Sequence, residues 1–405
     1  MSIVSIFSGA YCQADQVTDR LLQAASLTRL TDDDVVTEAA RLSGLPRPRL
    51  EKAFSPKVSV FNKFTHEKEH SLAWLKLALA GLMERDGLCL DGFSGIMAPK
   101  DVTHVLKVCL VADFKHRLET AQADGLSAGE ARRRIRGGDE AASAWTEALF
   151  RQADPWQATL YDVLVPMDKT GVSEAVDLIL ENLSKDPLRS TDASRQAVRD
   201  FQLAARVEVR LAEEGHSVGV QARDGNLVLT INKHVMLLSR LEDELKALAG
   251  AEPGVSGVEV KVGRDFHQAD IYRKADFAMP SKVLLVDDER EFVQTLSERL
   301  EMREVGSHAV YDGESALDMV RQDEPEVMIL DLKMPGIDGI EVLRRVKAEN
   351  PGIEVIILTG HGSEEDRETC MGLGAFAYLH KPVDIDVLSD TLRRANDKVR
   401  DQRPA

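Results

Sequence analysis

Long apolar runs are missing from this chain. None approaches the roughly 20 consecutive apolar residues that cross a bilayer, so no membrane-spanning helix and no membrane partner is expected. The first residues, Met1-Ser-Ile-Val-Ser-Ile-Phe-Ser8, lack the basic start and the long apolar stretch of a secretory leader, which points to the cytoplasm. Cysteine is scarce. Cys12, Cys89, Cys109 and Cys370 are scattered, show no metal-ligand spacing, and read as reduced cytosolic thiols. Positive charge is the minority sign. With 51 Lys and Arg against 68 Asp and Glu, the net charge of −17 argues against non-specific binding to DNA or an anionic membrane, though a local basic patch remains compatible with it. Internal repeats and low-complexity tracts are also absent.

What is present is length and alternation. A chain of 405 residues exceeds one ordinary core, so two to four domains are expected. A hydrophobic content of 43% and a charged content of 29% are those of a soluble globular protein. Over residues 1–185, short apolar runs at Ile3–Phe7, Gly87–Leu90, Val105–Val111 and Asp162–Pro166 alternate with helical patterns such as Ala73–Met83 and Val172–Leu183. Such alternation predicts a parallel α/β sheet. The polar stretch Ser184–Asp192, with Pro187, marks a boundary. A long helix is predicted over Ala193–Glu214, then strands over Ser217–Ala222 and Leu227–Ile231. Asp224-Gly225 between them is a strong hairpin signal. A helix with Leu238, Leu241, Leu245 and Leu248 on one face follows, then a period-two strand over Val258–Val262. Residues 193–263 thus read as a small α+β domain in α-β-β-α-β order, which resembles the BON domains of bacterial envelope proteins, with a spacer or dimerisation unit as the favoured reading. Residues 264–280, with Phe266, Tyr272, Phe277 and Pro280, read as a linker.

The C-terminal third carries the chemistry. Val-Leu-Leu-Val-Asp287-Asp288-Glu289 and Met-Ile-Leu-Asp331 are apolar runs that end in acids. Adjacent parallel strands would set three carboxylates at one sheet edge, where they repel unless a hard divalent cation sits among them. Two more strand ends supply the hydroxyl of Thr359 and the amine of Lys381, which completes a site for a phosphoryl group on a carboxylate. Over roughly residues 281–400 these motifs, in this order, resemble the receiver domain of bacterial response regulators. The resemblance implies a flavodoxin-like (βα)5 fold and Asp331 as phosphoacceptor, which also fits its place at a strand's C-terminal end. It implies Mg²⁺ on Asp287, Asp288, Asp331 and the backbone carbonyl of Lys333, and a cis peptide before Pro382 that aims Lys381 inward. It further implies a switch in which Thr359 moves toward the phosphoryl group and Tyr378 turns inward behind it.

The N-terminal half resembles a different family. Ile3–Phe7 leads into Ser8-Gly9-Ala-Tyr-Cys-Gln-Ala14-Asp15, where a nucleoside-monophosphate kinase has its phosphate loop. Asp32-Asp33-Asp34 before a helix, Asp91-Gly92-Phe93 after a strand, Val105–Arg117, a lid-like Ala131–Asp139 and Gly171–Ile179 follow in order. Over roughly residues 1–185 this is similar to the cytidylate-kinase-like family and implies a P-loop-kinase-like parallel sheet. Three phosphate-handling positions depart from it. Bulkier residues, Tyr11 to Ala14, replace the loop glycines and Asp15 stands at its basic position, Phe93 replaces an arginine, and Glu140-Ala-Ala-Ser143 replaces lid arginines. A non-catalytic domain is expected. The run Arg132–Arg136 reads as a solvated helix face or, through Arg133 and Arg136, as a retained anion site.

The expected protein is a cytoplasmic response regulator with output modules ahead of a C-terminal receiver, phosphorylated by a sensor histidine kinase or a phosphotransfer protein. With the chain ending at Ala405 soon after the receiver's last helix, no direct DNA binding is expected. Three alternatives stay open at this point: a phosphorylation-gated cytidylate-like kinase, a nucleotide sensor without turnover, and a scaffold that works by homodimerisation.

Overall fold

Ile3, Val4, Ile6 and Phe7 are apolar on both sides of one strand, and all four are buried. That pattern belongs to a parallel sheet covered by helices on both faces. A computed structural model, which describes residues 2–235, 238–263, Phe266, 279–303 and 305–402, bears this out. Apart from Phe266, Met279 and Pro280, the expected linker over 264–280 lies outside the described residues.

In chain order the first half comprises β1 (Ile3–Ser8), α1 (Ala14–Ala25), β2 (Thr28–Thr31), α2 (Asp32–Ser43), α3 (Arg47–Glu51), α4 (Asn62–Thr65), α5 (Glu67–Leu82), β3 (Leu88–Asp91), β4 (Val105–Val111), α6 (Phe114–Ala123), α7 (Ala128–Phe150), β5 (Val163–Pro166) and α8 (Val172–Leu183). Then come α9 (Asp192–Glu213), β6 (Gly219–Arg223), β7 (Asn226–Ile231), α10 (Leu238–Gly250) and β8 (Gly257–Val262). The last third holds β9 (Val283–Val286), α11 (Arg290–Glu301), β10 (Ser307–Val310), α12 (Gly313–Gln322), β11 (Val327–Leu330), α13 (Gly339–Glu349), β12 (Glu354–Thr359), α14 (Glu364–Gly372), β13 (Ala377–His380) and α15 (Ile385–Gln402). No described helix is long and apolar enough to cross a membrane.

The chain forms two units. In the first, five parallel strands run in the order β2-β3-β1-β4-β5. Successive residues of β1 enter opposite cores, Ile3 and Phe7 on one face, Val4 and Ile6 on the other. The strand β2 is not apparent from the sequence: it has four residues at the sheet edge and carries Arg29. Helix α9 serves two cores. Val198 and Phe201 pack with the five-stranded sheet, while Leu203, Val207 and Leu211, four apart, pack on the three-stranded sheet β6-β7-β8. Asp200 on the same helix accepts the Asp224 and Gly225 N–H groups of the β6–β7 turn at 3.0 and 3.4 Å. Both turn residues have positive φ, 48° and 78°, as the Asp-Gly signal requires. The helix expected to open a separate middle domain is therefore also part of the first core.

The second unit is a parallel sheet in the order β10-β9-β11-β12-β13, the flavodoxin-like arrangement. Leu284 and Val286 face one core, Val283 and Leu285 the other. This unit also holds Ser59–Glu67, a segment from far upstream. Asp323 accepts hydrogen bonds from Ser59 Oγ (2.7 Å) and the Val60 N–H (3.0 Å), and Lys282 pairs with Glu67 at 2.7 Å. Phe61 is fully buried with its ring edge-on to His308, and Phe64 lies where a side chain on Gly306 would have to go.

Candidate functional site

The strand order of the second unit reverses at β9, which has β10 on one side and β11 on the other. Ligands of open α/β sheets bind outside the carboxyl ends of the strands at such a point. Val286 is in register with Leu330, so the residues after them, Asp287 and Asp331, leave the sheet side by side. Asp287, Asp288 and Asp331 each offer a carboxylate oxygen, all within 4.8 Å of one another. Asp287 and Asp331 are buried and Asp288 is exposed.

Lys381 follows β13 across a cis bond to Pro382, as expected. Its ammonium contacts Asp287 Oδ2 at 2.6 Å, Glu289 Oε1 at 2.9 Å and Asp331 Oδ2 at 3.2 Å, and lies 4.5 Å from the centre of the Phe292 ring. Burial alone would lower the Lys381 pKa, but hydrogen bonds to Asp287 and Glu289, with the charges of Asp287 and Asp331, raise it. Burial pushes the Asp287 carboxyl up, against the pull of Lys381 and of the Glu289 N–H. One side-chain cation thus stands against two of three clustered carboxylates. The site is built for positive charge, and its all-oxygen donor set fits a hard divalent cation.

Asp331 is oriented by its own loop: Oδ1 accepts the Leu332 N–H at 2.7 Å and the Lys333 N–H at 3.5 Å. Lys333 is itself exposed. Thr359 is fully buried at the end of β12, and its Oγ1 accepts the His361 N–H at 3.4 Å. The Tyr378 hydroxyl is buried without a hydrogen-bond partner, tucked beneath Gly362, where any Cβ would collide with it. Asp287, Asp288, Asp331 and Lys381 therefore converge on one edge, Thr359 ends a neighbouring strand, and Tyr378 already points inward. Glu289 and Phe292 have no role in the sequence reading. For Glu289 the signal is its place directly after the acid pair.

In the first unit the loop after β1 has a different character. Tyr11 and Gln13 adopt left-handed φ of 64° and 57°, a conformation that glycine accepts and these residues rarely do. Asp15 is bound to Arg29 at 2.7 Å, and Arg29 also holds Asp91 at 2.5 Å. The buried Arg117 donates to the Ala10 carbonyl (2.9 Å) and twice to Asp139 (2.7 and 3.2 Å). Phe93 belongs to an aromatic cluster, stacked on Phe7 at 5.2 Å, with its carbonyl accepting Trp145 Nε1 at 2.8 Å. The lid-like stretch is no loop: α7 runs unbroken through Gly137-Gly138, and a Cβ at Gly138 would sit 3.2 Å from Ala10 Cβ. Arg133 and Arg136 are exposed on α7, while Ala131 and Ile135 face inward. Beside the loop lies a groove of about 650 Å³ whose lining includes Asp139, Glu140, Glu147, Asp154 and Trp156.

Comparisons with known proteins match two stretches of the chain. Residues 283–393 match the response regulator receiver domain family, and residues 3–169 match the cytidylate kinase-like family. Sporulation initiation phosphotransferase F of Bacillus subtilis is 35% identical over 116 residues, 29% of this chain and 94% of that protein. Response regulator MprA of Mycobacterium tuberculosis is 32% identical over 115 residues, 28% of this chain, and the match spans 50% of its length. The C4-dicarboxylate transport transcriptional regulatory protein DctD of Pseudomonas aeruginosa is 37% identical over 122 residues, 30% of this chain and 26% of its own. Among solved structures, a response regulator receiver domain protein from Clostridium thermocellum is 32% identical, covers 30% of this chain and 98% of its own, and has a TM-score of 0.29.

Proposed function

The chain belongs to the response regulator receiver family, and from that premise we propose that it is a two-component response regulator in which Asp331 takes a phosphoryl group from a phosphohistidine of a sensor kinase or phosphotransfer protein. An Asp331 carboxylate oxygen forms the new bond to phosphorus as the donor's nitrogen–phosphorus bond breaks, and the leaving imidazole takes up a proton. The Leu332 N–H holds the carboxylate in its attacking orientation. Asp287, Asp288, Asp331 and the Lys333 carbonyl would hold Mg²⁺, which when bound offsets the repulsion between an anionic phosphoryl group and an anionic acceptor. Lys381 pairs with one phosphoryl oxygen. Thr359, whose oxygen now only accepts, keeps its O–H to donate to another. A groove of about 350 Å³ lined by Phe292, Thr295, Leu296, Val383 and Ile385, next to the Lys381–Phe292 contact, is where the donor protein would dock.

The observation that supports this reading most is the Lys381 ammonium between Asp287 and Asp331 at the point where strand order reverses. With a small-molecule phosphodonor and Mg²⁺, the full chain is expected to gain the mass of one phosphoryl group. Asp331→Asn should gain none, and phosphoryl incorporation persisting in that variant would refute the acceptor assignment.

We assign the N-terminal half the role of an output module that transfers no phosphoryl group. Its former phosphate loop is occupied by side-chain pairs: Asp15 is tied to Arg29, and Arg117 to Asp139. The neighbouring groove presents carboxylates, which repel nucleotide phosphates. Calorimetric titration with ATP, CTP and CMP in Mg²⁺ should give no heat beyond dilution. Micromolar binding to the first unit would overturn this assignment.

A further inference from the structure

Lys381 contacts three carboxylates, and only two of them belong to the trio that suits a divalent cation. Its ammonium lies against Asp287 Oδ2 and Asp331 Oδ2, so it competes for two of the trio's carboxylates. The third partner, Glu289, stands apart from the trio and is largely exposed. Its position is nonetheless fixed. The Glu289 N–H donates to Asp287 Oδ1 at 2.9 Å, and Glu289 is the N-cap residue directly ahead of α11. The Phe292 ring, on the first turn of that helix, offers its face to the same ammonium at 4.5 Å. Glu289 and Phe292 together therefore form a second seat for Lys381, an ion pair plus a cation–π contact, that uses neither Asp287 nor Asp331.

We propose that Glu289 is a positioning residue that retains Lys381 when a divalent cation takes Asp287 and Asp331 from it, which lowers the cost of freeing those carboxylates. This rests on the reading of Asp287, Asp288 and Asp331 as the metal site. Glu289 acts through Lys381 and touches neither the ion nor the phosphoryl group. Without it, the ammonium keeps only the two carboxylates that the ion needs, and the ion must displace it into water. Any cation that fills the trio meets the same competition, so the effect belongs to binding and needs no phosphodonor.

The test is calorimetric titration of the full chain with MgCl₂ in the absence of phosphodonor. Glu289→Gln is expected to raise the Kd for Mg²⁺ by roughly threefold to tenfold. Glu289→Asp, which keeps the charge but shortens its reach, should reproduce most of that loss. In a Lys381→Met background, where no ammonium has to be retained, the Glu289→Gln penalty should shrink to less than about a third. An equal penalty in both backgrounds, or a Glu289→Asp variant that binds like wild type, would mean that Glu289 acts on the ion by its charge alone and would overturn the proposal while leaving the metal site intact. A wild-type chain that binds no Mg²⁺ would overturn the metal site and this inference together.

Discussion

Raising the pH above 9 should unfold the N-terminal unit, whereas from pH 8 to 9 its stability should hold nearly level. Lys107 lies in the inner strand β4, buried, with its ammonium donating to the Ile96 and Ala98 carbonyls. Burial lowers its pKa from 10.5 to about 8. Between those values the unfolded chain holds a proton that the folded chain has lost, so stability rises with pH, by at most about 1.4 kcal/mol per unit. Buried thiols work in the opposite direction. Burial raises Cys12 to about 11 and Cys89 and Cys109 to about 12, against an ordinary 9.0. From pH 8 to 9 the three thiols remove about the 1 kcal/mol that Lys107 adds, and above pH 9 they outweigh it by roughly 3 kcal/mol per pH unit. Set against a typical stability of about 5–15 kcal/mol, that loss reaches unfolding near pH 11. Trp74, Trp145 and Trp156 are the chain's three tryptophans and all lie in this unit, so fluorescence-detected urea unfolding reports on it alone. From pH 8 to 9 Lys107→Met should lose about 1 kcal/mol of stability where wild type loses almost none. A stability flat from pH 8 to 10.5 in wild type would contradict the account.

Gly339→Ala is the second large effect. A Cβ at Gly339 would run into the Asp331 carbonyl oxygen and come within 2.8 Å of Leu332 Cα, both of them backbone. Neither can easily yield, because the Asp331 N–H is bound to the Val286 carbonyl at 2.9 Å and the Gly339 N–H to the Leu332 carbonyl at 3.2 Å. Overpacking of this kind costs about 1–3 kcal/mol. The chemical penalty should be larger, since moving a reacting carboxylate by about 1 Å can cost on the order of 100-fold in rate. The rate of phosphoryl uptake, followed by intact mass, measures it. Gly336→Ala is the control. Gly336 has φ of 87° but open space where a Cβ would lie, so its substitution strains the turn by about 1 kcal/mol and should leave phosphoryl uptake near wild type. Equal uptake by wild type and Gly339→Ala would show that the loop after β11 relaxes without moving the acid.

The receiver was legible because its signals are local. An apolar run that ends in an acid, a threonine or a lysine announces both the strand and the group at its end, and parallel pairing brings Asp287, Asp331, Thr359 and Lys381 to the same edge without further information. What stayed hidden depends on distance or on small numbers of atoms. Arg29 sits in a four-residue edge strand too short to show a period, yet it neutralises Asp15 and Asp91. Gly137-Gly138 suggests an interruption, but α7 continues because Gly138 lets the helix approach Ala10. The partners of Ser59 and Val60 lie more than 260 residues away at Asp323, and no local pattern records that pairing.

That last pairing bears on how freely such proteins can be recombined. A receiver excised at its sequence boundary would leave Lys282 and Asp323 without Glu67, Ser59 and the Val60 N–H, and would uncover the seats of Phe61 and Phe64. The remaining piece would carry two phenylalanines stripped of their cover, each forfeiting about 1.5–3 kcal/mol of burial. Grafting another receiver onto this N-terminal half would succeed only if the newcomer offered an anion at position 323, a cation at 282 and no side chain at 306. Here the receiver is not an interchangeable cassette, because part of its fold is encoded inside its neighbour.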